Sequence, residues 1–385
     1  MLKDAVAILD IGSSKVTVMI GEKGVNDTFI IHNTCEVHYI GYNDDFFLAP
    51  DPLYHQVGIV QAIEKALETV VRNSSFNLSQ IYVGVPGKFL KVFTQKHSNS
   101  YERKIKITQK QIEKFKTTAL QSFNLNEYTV INTQIVYCNL SDGTKVVDPI
   151  GYKSVNLSGV LSFSLCENKF LNFINKILKK NKVKRAIFVP SPLAMCLYLF
   201  NEDKRKTCNV LLDVGYSSTT ISVVHNDGIV YQNTFSLGGA LISGKILSEY
   251  SSEGTSPEQY LNSLPIYEEI TKKINFGLEG NEVYECLFNN QIYRFPAKTI
   301  NRIANEVLID LAEEVSNSLE LLSDWLPNGT RINITGGGIA YLRGSCEKLR
   351  DLLSRGVDVI APNVPLFKEP IHSSKLALLD YALKY

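Results

Sequence analysis

One stretch of the chain occurs twice. VAILDIGSSKVTVMIG from Val6 is echoed by NVLLDVGYSSTTISVV from Asn209, and in each an apolar strand runs into Asp-x-Gly, small hydroxyl residues and a second strand. A repeated strand, tight turn and strand implies two related domains. Polar turns of this kind aim backbone N–H groups and hydroxyls at an anion, because glycine permits close approach and small side chains leave room for a phosphate. Two such turns face to face would grip a polyphosphate from both sides. A lone copy reads equally well as an ordinary β-turn capped by Asp, Ser and Gly. The second copy, together with a third glycine motif in INITGGG (Ile332 to Gly338), favours the phosphate reading. Asp10 and Asp213, at matching places, then read as carboxylates serving Mg2+ through waters, since Mg2+ takes oxygen ligands and bridges phosphates. Lys15 would neutralise phosphate charge.

A chain of 385 residues exceeds one ordinary core, so two domains with room for an insertion are expected. With 44% hydrophobic and 21% charged residues the composition is that of a globular protein. Lys and Arg number 40 against 39 acids, so no overall field recruits nucleic acid or an anionic membrane. Seven cysteines without a C-x-x-C pair indicate neither a zinc ribbon nor a disulfide framework, and fit a reduced cytosol. Charges interrupt the opening MLKDAVAILDIG, so it lacks a signal peptide's apolar core, and no run is long enough to span a bilayer. The six histidines, His55 among them, show no metal-ligand spacing.

Along the chain, Ile59, Ile63, Leu67, Val70 and Val71 recur at helical spacing, and Ile81 to Val85 reads as a strand broken by Pro86-Gly87. A charged stretch from Lys96 to Lys106 leads to Thr108, whose spacing to Gln111 matches a capping box ahead of a helix carrying Ile112, Phe115 and Leu120. With the strand TVINTQIVY this makes a small inserted α+β unit, after which Phe170, Phe173, Ile177 and Leu178 mark a helix and Ala186 to Val189 a strand. In the second half, Asn226-Asp227-Gly228 and Asn289-Asn290 read as hairpin turns. Thr255 to Pro265 reads as a loop and Glu268 to Asn275 as a helix. The most regular helix is expected from about Thr299 to Trp325, stopped by Pro327-Asn328-Gly329, with Ile303, Val307, Leu311, Val315, Leu319 and Leu322 on one stripe.

DIGSSK, DVGYSST and TGGG, in that order, resemble the two phosphate motifs and the adenosine motif of the actin, sugar-kinase and heat-shock-chaperone ATPase superfamily. Within it, VPGKFLKV, VDPIGYKSVNLSG and PLAMCLYLFNEDKRKTCNVLLDVG resemble the bacterial cell-division family FtsA, and the resemblance covers nearly the whole chain. It implies an α/β, actin-like (ribonuclease H-like) duplicated fold with a nucleotide cleft. The first domain would take residues 1–83 and 162–190, the inserted subdomain 84–161, the second domain 191–240 and 331–385, and an outer lobe 241–330. The ligand implied is ATP with Mg2+. Phosphate contacts would come from Gly12, Ser13, Ser14, Lys15, Gly215, Ser217 and Ser218, with Tyr216 beside them narrowing the cleft where the family usually has glycine; the nucleoside would be bordered by Gly238, Gly239, Gly336, Gly337 and Gly338. Glu269 and Lys272 would reach adenine and ribose, although a pair three apart on a helix is more often a solvated ion pair.

The resemblance further implies a filament-forming scaffold at the cytoplasmic face of the inner membrane. It would link the tubulin-like division protein FtsZ, through that protein's C-terminal peptide, to the membrane and to other division proteins. Arg302, Asn305 and Glu306 are the candidate contacts for that peptide. Two departures from the family pattern matter. Ser191 precedes Pro192 where many relatives carry Glu or Gln to orient the attacking water, which implies weak or absent hydrolysis. Leu376, Leu379 and Leu383 in the final SSKLALLDYALKY align with a packed helix instead of a membrane-anchoring one, so the membrane would be reached through a further tail or a partner. Two other functions fit the same motifs: a pilus-assembly ATP-binding protein, and a small-molecule kinase, for which no substrate-facing catalytic Asp stands out.

Overall fold

The computed structural model describes residues 5–25, 28–43, 46–49, 57–72, 76, 78–121, 123, 125–251, 257–278, 280–322, 326–327 and 329–385. His55, Thr255, Trp325 and Asn328 lie outside these.

The repeated motif builds the same sheet twice. In the first, the strands run in the order Phe29–His38, Lys15–Lys23, Val6–Ile11, Gln80–Val85, Arg185–Pro190; in the second, Gly228–Phe235, Thr219–His225, Asn209–Val214, Ile332–Thr335, Val357–Val359. In both, the first three strands in the chain are antiparallel neighbours and the last two join parallel on the other side. The register is also the same: Asp10 pairs with Thr17 and Ile11 with Val16, as Asp213 pairs with Thr220 and Val214 with Thr219. Each turn is therefore four residues long, closed by Gly12 N–H to Lys15 O and by Gly215 N–H to Ser218 O, both 2.9 Å. Matching order, direction and register in both sheets is what duplication of one unit produces.

Between the two sheets lie the helices Ser191–Leu199 and Ser373–Lys384. Ala194, Met195, Cys196, Ala377, Leu378 and Leu379 meet Ile8 and Met19 from one side and Leu211 and Val224 from the other. The final helix is thus a core element, with Leu376 and Leu379 fully buried. Ile59–Arg72 and Asn168–Lys180 cover the outer face of the first sheet, where Ile63, Leu67, Phe170 and Ile174 are buried. The long helix Ala297–Glu320 belongs to the core of the second, with Ile303, Val307, Leu311, Val315 and Leu319 on its buried stripe, as the spacing requires.

A third sheet is antiparallel, in the order Leu90–Lys106, Lys153–Glu167, Tyr128–Leu140, Lys145–Val146. The helix Gln109–Leu120, with the Thr108/Gln111 capping box formed, packs Ile112 and Phe115 onto it. The charged run Lys96 to Lys106 is part of its long first strand: exposure alternates from Lys96 to Tyr101, and the consecutive charges Glu102, Arg103 and Lys104 are all exposed where the pairing register shifts between Ser100 and Ile105. The two Asn-based turns form as expected, Asn289 and Asn290 both having positive φ between Val283–Phe288 and Gln291–Pro296.

One expectation is overturned. The described part of the supposed loop Thr255 to Pro265 is helical, from Pro257 to Lys272 with Pro265 inside it. Proline is tolerated in the first turn, and the local cost of Pro265 is outweighed by burial of Ile266, Tyr267 and Ile270 in the second core.

Candidate functional site

The two hairpin turns meet. Ser13 Oγ accepts a hydrogen bond from the Ser217 N–H at 3.1 Å, and the Tyr42 hydroxyl lies 3.5 Å from Ser218 Oγ. Tyr39, just beyond the third strand of the first sheet, donates its hydroxyl to Gly12 O at 2.8 Å. With their glycine N–H groups closing the turns, the backbone amides of Ser13, Ser14, Tyr216 and Ser218 keep no protein acceptor among the described residues. That is the donor set an anion needs.

Around these turns is a cavity of about 860 Å³. Of the residues singled out from sequence, Asp10, Gly12, Ser13, Ser14, Lys15, Asp213, Gly215, Tyr216, Ser218, Gly239, Lys272, Gly336, Gly337 and Gly338 line it. Ser217, Gly238 and Glu269 do not: Ser217 is held by Ser13, and Gly238 lies beneath Tyr216, whose carbonyl oxygen would be 2.4 Å from any Cβ there. Glu269 points to solvent and accepts from Lys272 Nζ at 2.6 Å. Its neighbour Glu268 faces the cavity instead, accepting from the Tyr216 hydroxyl at 2.6 Å. Arg302 bonds Glu306 at 2.7 Å and Glu249 at 3.0 Å; with Asn305 these lie on the outer surface of the long helix, away from the cavity.

Glycine is required at the contact of the three motifs. The Gly336 backbone is left-handed, with φ of 94°, and turns the strand Ile332–Thr335 under the second hairpin. Gly338 N–H then donates to Val214 O at 2.8 Å, and Gly239 N–H to Gly215 O at 3.0 Å, stacking the motifs backbone on backbone.

Asp10 and Asp213, both half-buried, line the same cavity. Burial raises the Asp213 carboxyl to about 7, with the Asp10 charge contributing, and burial raises Asp10 as well, opposed by a 2.6 Å hydrogen bond from Ser374. A carboxylate whose proton affinity is raised by a second carboxylate nearby makes with it a good seat for a divalent cation. Beside them, Ser191 is 6% exposed and its Oγ has no partner among the described residues; it would lie 2.7 Å from a Cβ on Gly84, a position that also faces Asp10. A buried hydroxyl without a partner is suited to hold a water. The cleft therefore fits a hydrated magnesium and a nucleoside polyphosphate: Asp10 and Asp213 would serve the cation, the turn amides the phosphates, and the Gly336–Gly338 turn the nucleoside. Among the described residues no group of three or more His, Cys, Asp or Glu forms a protein-only metal site.

Lys15 is not free in the cavity. Its Nζ donates to Glu36 Oε2 at 2.7 Å, while Lys375 Nζ bonds the other oxygen. Burial pushes the Glu36 carboxyl up, but the two lysines outweigh it and hold the group down at about 2. Sequence reasoning missed Glu36, Tyr42, Glu268 and Lys375. Period-2 alternation in FIIHNTCEVH gives away the strand Phe29–His38, but nothing local in that run shows which carboxylate meets Lys15.

No protein-family model matches the chain. By sequence it is similar to the cell division protein FtsA of Streptococcus pneumoniae, 24% identical over 383 residues, covering 97% of this chain and 79% of that protein. It is similar also to FtsA of Bacillus subtilis, 22% identical over 382 residues, covering 98% and 83%. Among solved structures it resembles a PilM–PilN type IV pilus biogenesis complex (TM-score 0.63, 14% identity, 99% of each chain). A further likeness is to MreB5 of Spiroplasma citri bound to AMPPNP (TM-score 0.55, 10% identity, 97% of this chain and 95% of that one). No helix among the described residues is long and apolar enough to cross a membrane. By fold the chain is an actin-like protein, and by sequence its curated relatives are FtsA cell-division proteins.

Proposed function

We propose that the chain is an ATP-binding, actin-like scaffold of cell division. The observation that carries this reading is the closure of two matching acidic hairpins on one cavity, with Asp10 and Asp213 on its wall. Mg-ATP would order the two halves and favour filaments. Those filaments would link the FtsZ ring to the cytoplasmic face of the inner membrane and to other division proteins, the FtsZ C-terminal peptide docking near Arg302, Asn305 and Glu306. The two five-stranded sheets would head two domains (1–83 with 162–190; 191–240 with 331–385), with 84–161 inserted and 241–330 as the outer lobe. The sequence relatives favour division over pilus assembly, since the likeness to PilM carries the fold alone. Titration calorimetry with Mg-ATP, followed by sedimentation of the ATP-loaded protein, tests the reading. Absence of any heat of binding in the unmutated chain would refute it.

Turnover should be slow. A Ser191 hydroxyl without a protein partner could hold a water but is no base at neutral pH, so the attacking water would be positioned without being activated. Ser191→Glu is expected to raise phosphate release about tenfold or more, general-base help contributing on the order of 10²-fold where geometry is good. Rapid release by the unmutated protein in a coupled phosphate assay would show that the Ser191 reading is wrong.

A further inference from the structure

The first turn of the last helix reaches three parts of the cleft through three successive side chains. Ser373 Oγ lies 2.7 Å from Thr335 Oγ1 on the strand that leads into the Gly336–Gly338 turn. Ser374 Oγ donates to Asp10 Oδ1 at 2.6 Å. Lys375, 5% exposed, bonds Glu36 Oε1, and Glu36 holds Lys15 with its other oxygen. Thr17 Oγ1 is a distant third partner of Glu36 at 3.5 Å.

Duplication provides an internal control. Thr17 pairs with Glu36 in the first sheet as Thr220 pairs with Thr234 in the second. There the same junction is made from neutral groups, Thr220 Oγ1 lying 3.0 Å from Thr234 Oγ1, and the place of Lys15 is taken by Ser218. The fold does not need an ion pair at that position. The charged version occurs only in the copy whose hairpin turn itself carries a lysine.

Resting on the nucleotide reading, we propose that Glu36 and Lys375 are positioning residues for Lys15: Glu36 holds its ammonium between nucleotides, and Lys375 makes its release to a terminal phosphate possible. A partly buried carboxylate that lost its only cation would be left uncompensated, a strongly unfavourable change. With Lys375 bonded to the second oxygen, Lys15 can leave Glu36 for a phosphate oxygen while Glu36 keeps a partner. The exchange replaces one charge-assisted hydrogen bond by another. It rewards ligands with phosphates beyond the first, and so makes Lys375 a determinant of preference for triphosphate over monophosphate.

Calorimetric titration with ATP and with AMP, both with Mg2+, tests this. Lys375→Met leaves Lys15 as the one cation on Glu36, and ATP affinity is expected to fall about tenfold with AMP affinity unchanged, the size of one charge-assisted hydrogen bond. Glu36→Gln/Lys375→Met removes both the holding carboxylate and the buried ammonium, and should restore ATP affinity to at least the wild-type value. Equal losses for ATP and AMP in Lys375→Met, or no recovery in the double variant, would overturn the inference, since a merely structural role gives that pattern. If Lys375→Met does not fold by circular dichroism, the double variant decides alone: a retained ATP-over-AMP ratio supports the proposal and a collapsed one refutes it. Failure of the nucleotide reading itself is distinguishable, because the unmutated protein would then bind neither ligand.

Discussion

Asp213→Asn is expected to erase most of the stabilisation that Mg-ATP gives the unmutated protein, about 2.7 kcal/mol at a hundred times the dissociation constant. The half-buried carboxylate lines the cavity, close enough to Asp10 for the Asp10 charge to raise its proton affinity, so removing one charge removes half of the cation's seat. The same substitution has a second signature that a misfolded variant would lack. In protein free of magnesium and nucleotide, burial, then Asp10, lifts the Asp213 pKa from 3.8 to about 7. Between those values the folded state holds a proton that the unfolded chain has released, so stability falls as pH rises from about 4 to about 7. The loss should be on the order of 3 kcal/mol, given about 1.4 kcal/mol for each tenfold change in proton affinity. Asparagine mimics the protonated acid, so Asp213→Asn should flatten this slope and be the more stable protein at pH 8 without ligand. Melting curves across pH, with and without Mg-ATP, give both readings. A wild-type melting temperature indifferent to Mg-ATP would remove the basis for assigning a cation to these two residues.

Gly338→Ala should damage the cleft severely through a single added methyl. The Gly338 φ is not left-handed, so the objection to alanine is one of space: the added Cβ would lie 2.2 Å from Gly215 O, 2.9 Å from Val214 O and 3.0 Å from Val214 Cγ1. Backbone cannot move aside as a flexible side chain can. The turn must lift off the second hairpin, losing the Gly338 N–H to Val214 O hydrogen bond and opening the nucleoside side of the cavity. A cost of about 3 kcal/mol, the upper end for overpacking, is expected, together with loss of any response to ATP. Urea unfolding checks the first part, and an unchanged midpoint would mean that the motifs are not in the contact described. Gly143→Ala is the control: it has open space around its Cβ position and tests only its own positive φ of 83°.

Features set by a few neighbouring residues were readable in the chain before any fold was known. The echo of Val6 onto Asn209 foretold two hairpins, and the sheets carry them in identical register, because a short continuous apolar run that ends in Asp-x-Gly becomes a strand buried on both faces with its polar turn outside the core. The stripe from Ile303 to Leu319, the Thr108 capping box and the Asn289-Asn290 turn were legible for the same reason, each being decided within a few residues. What only the tertiary structure decided is which distant groups meet. Helical order in Pro257–Lys272 prevailed over its internal proline because the second core buries its apolar side. Glu268, not Glu269, faces the cavity because a helix turns about 100° per residue, and only packing sets its rotation. Glu36 and Lys375 are separated by 339 positions in the chain, yet share one ion pair. No local pattern encodes such a contact, since it depends on where two sheets place the helix between them.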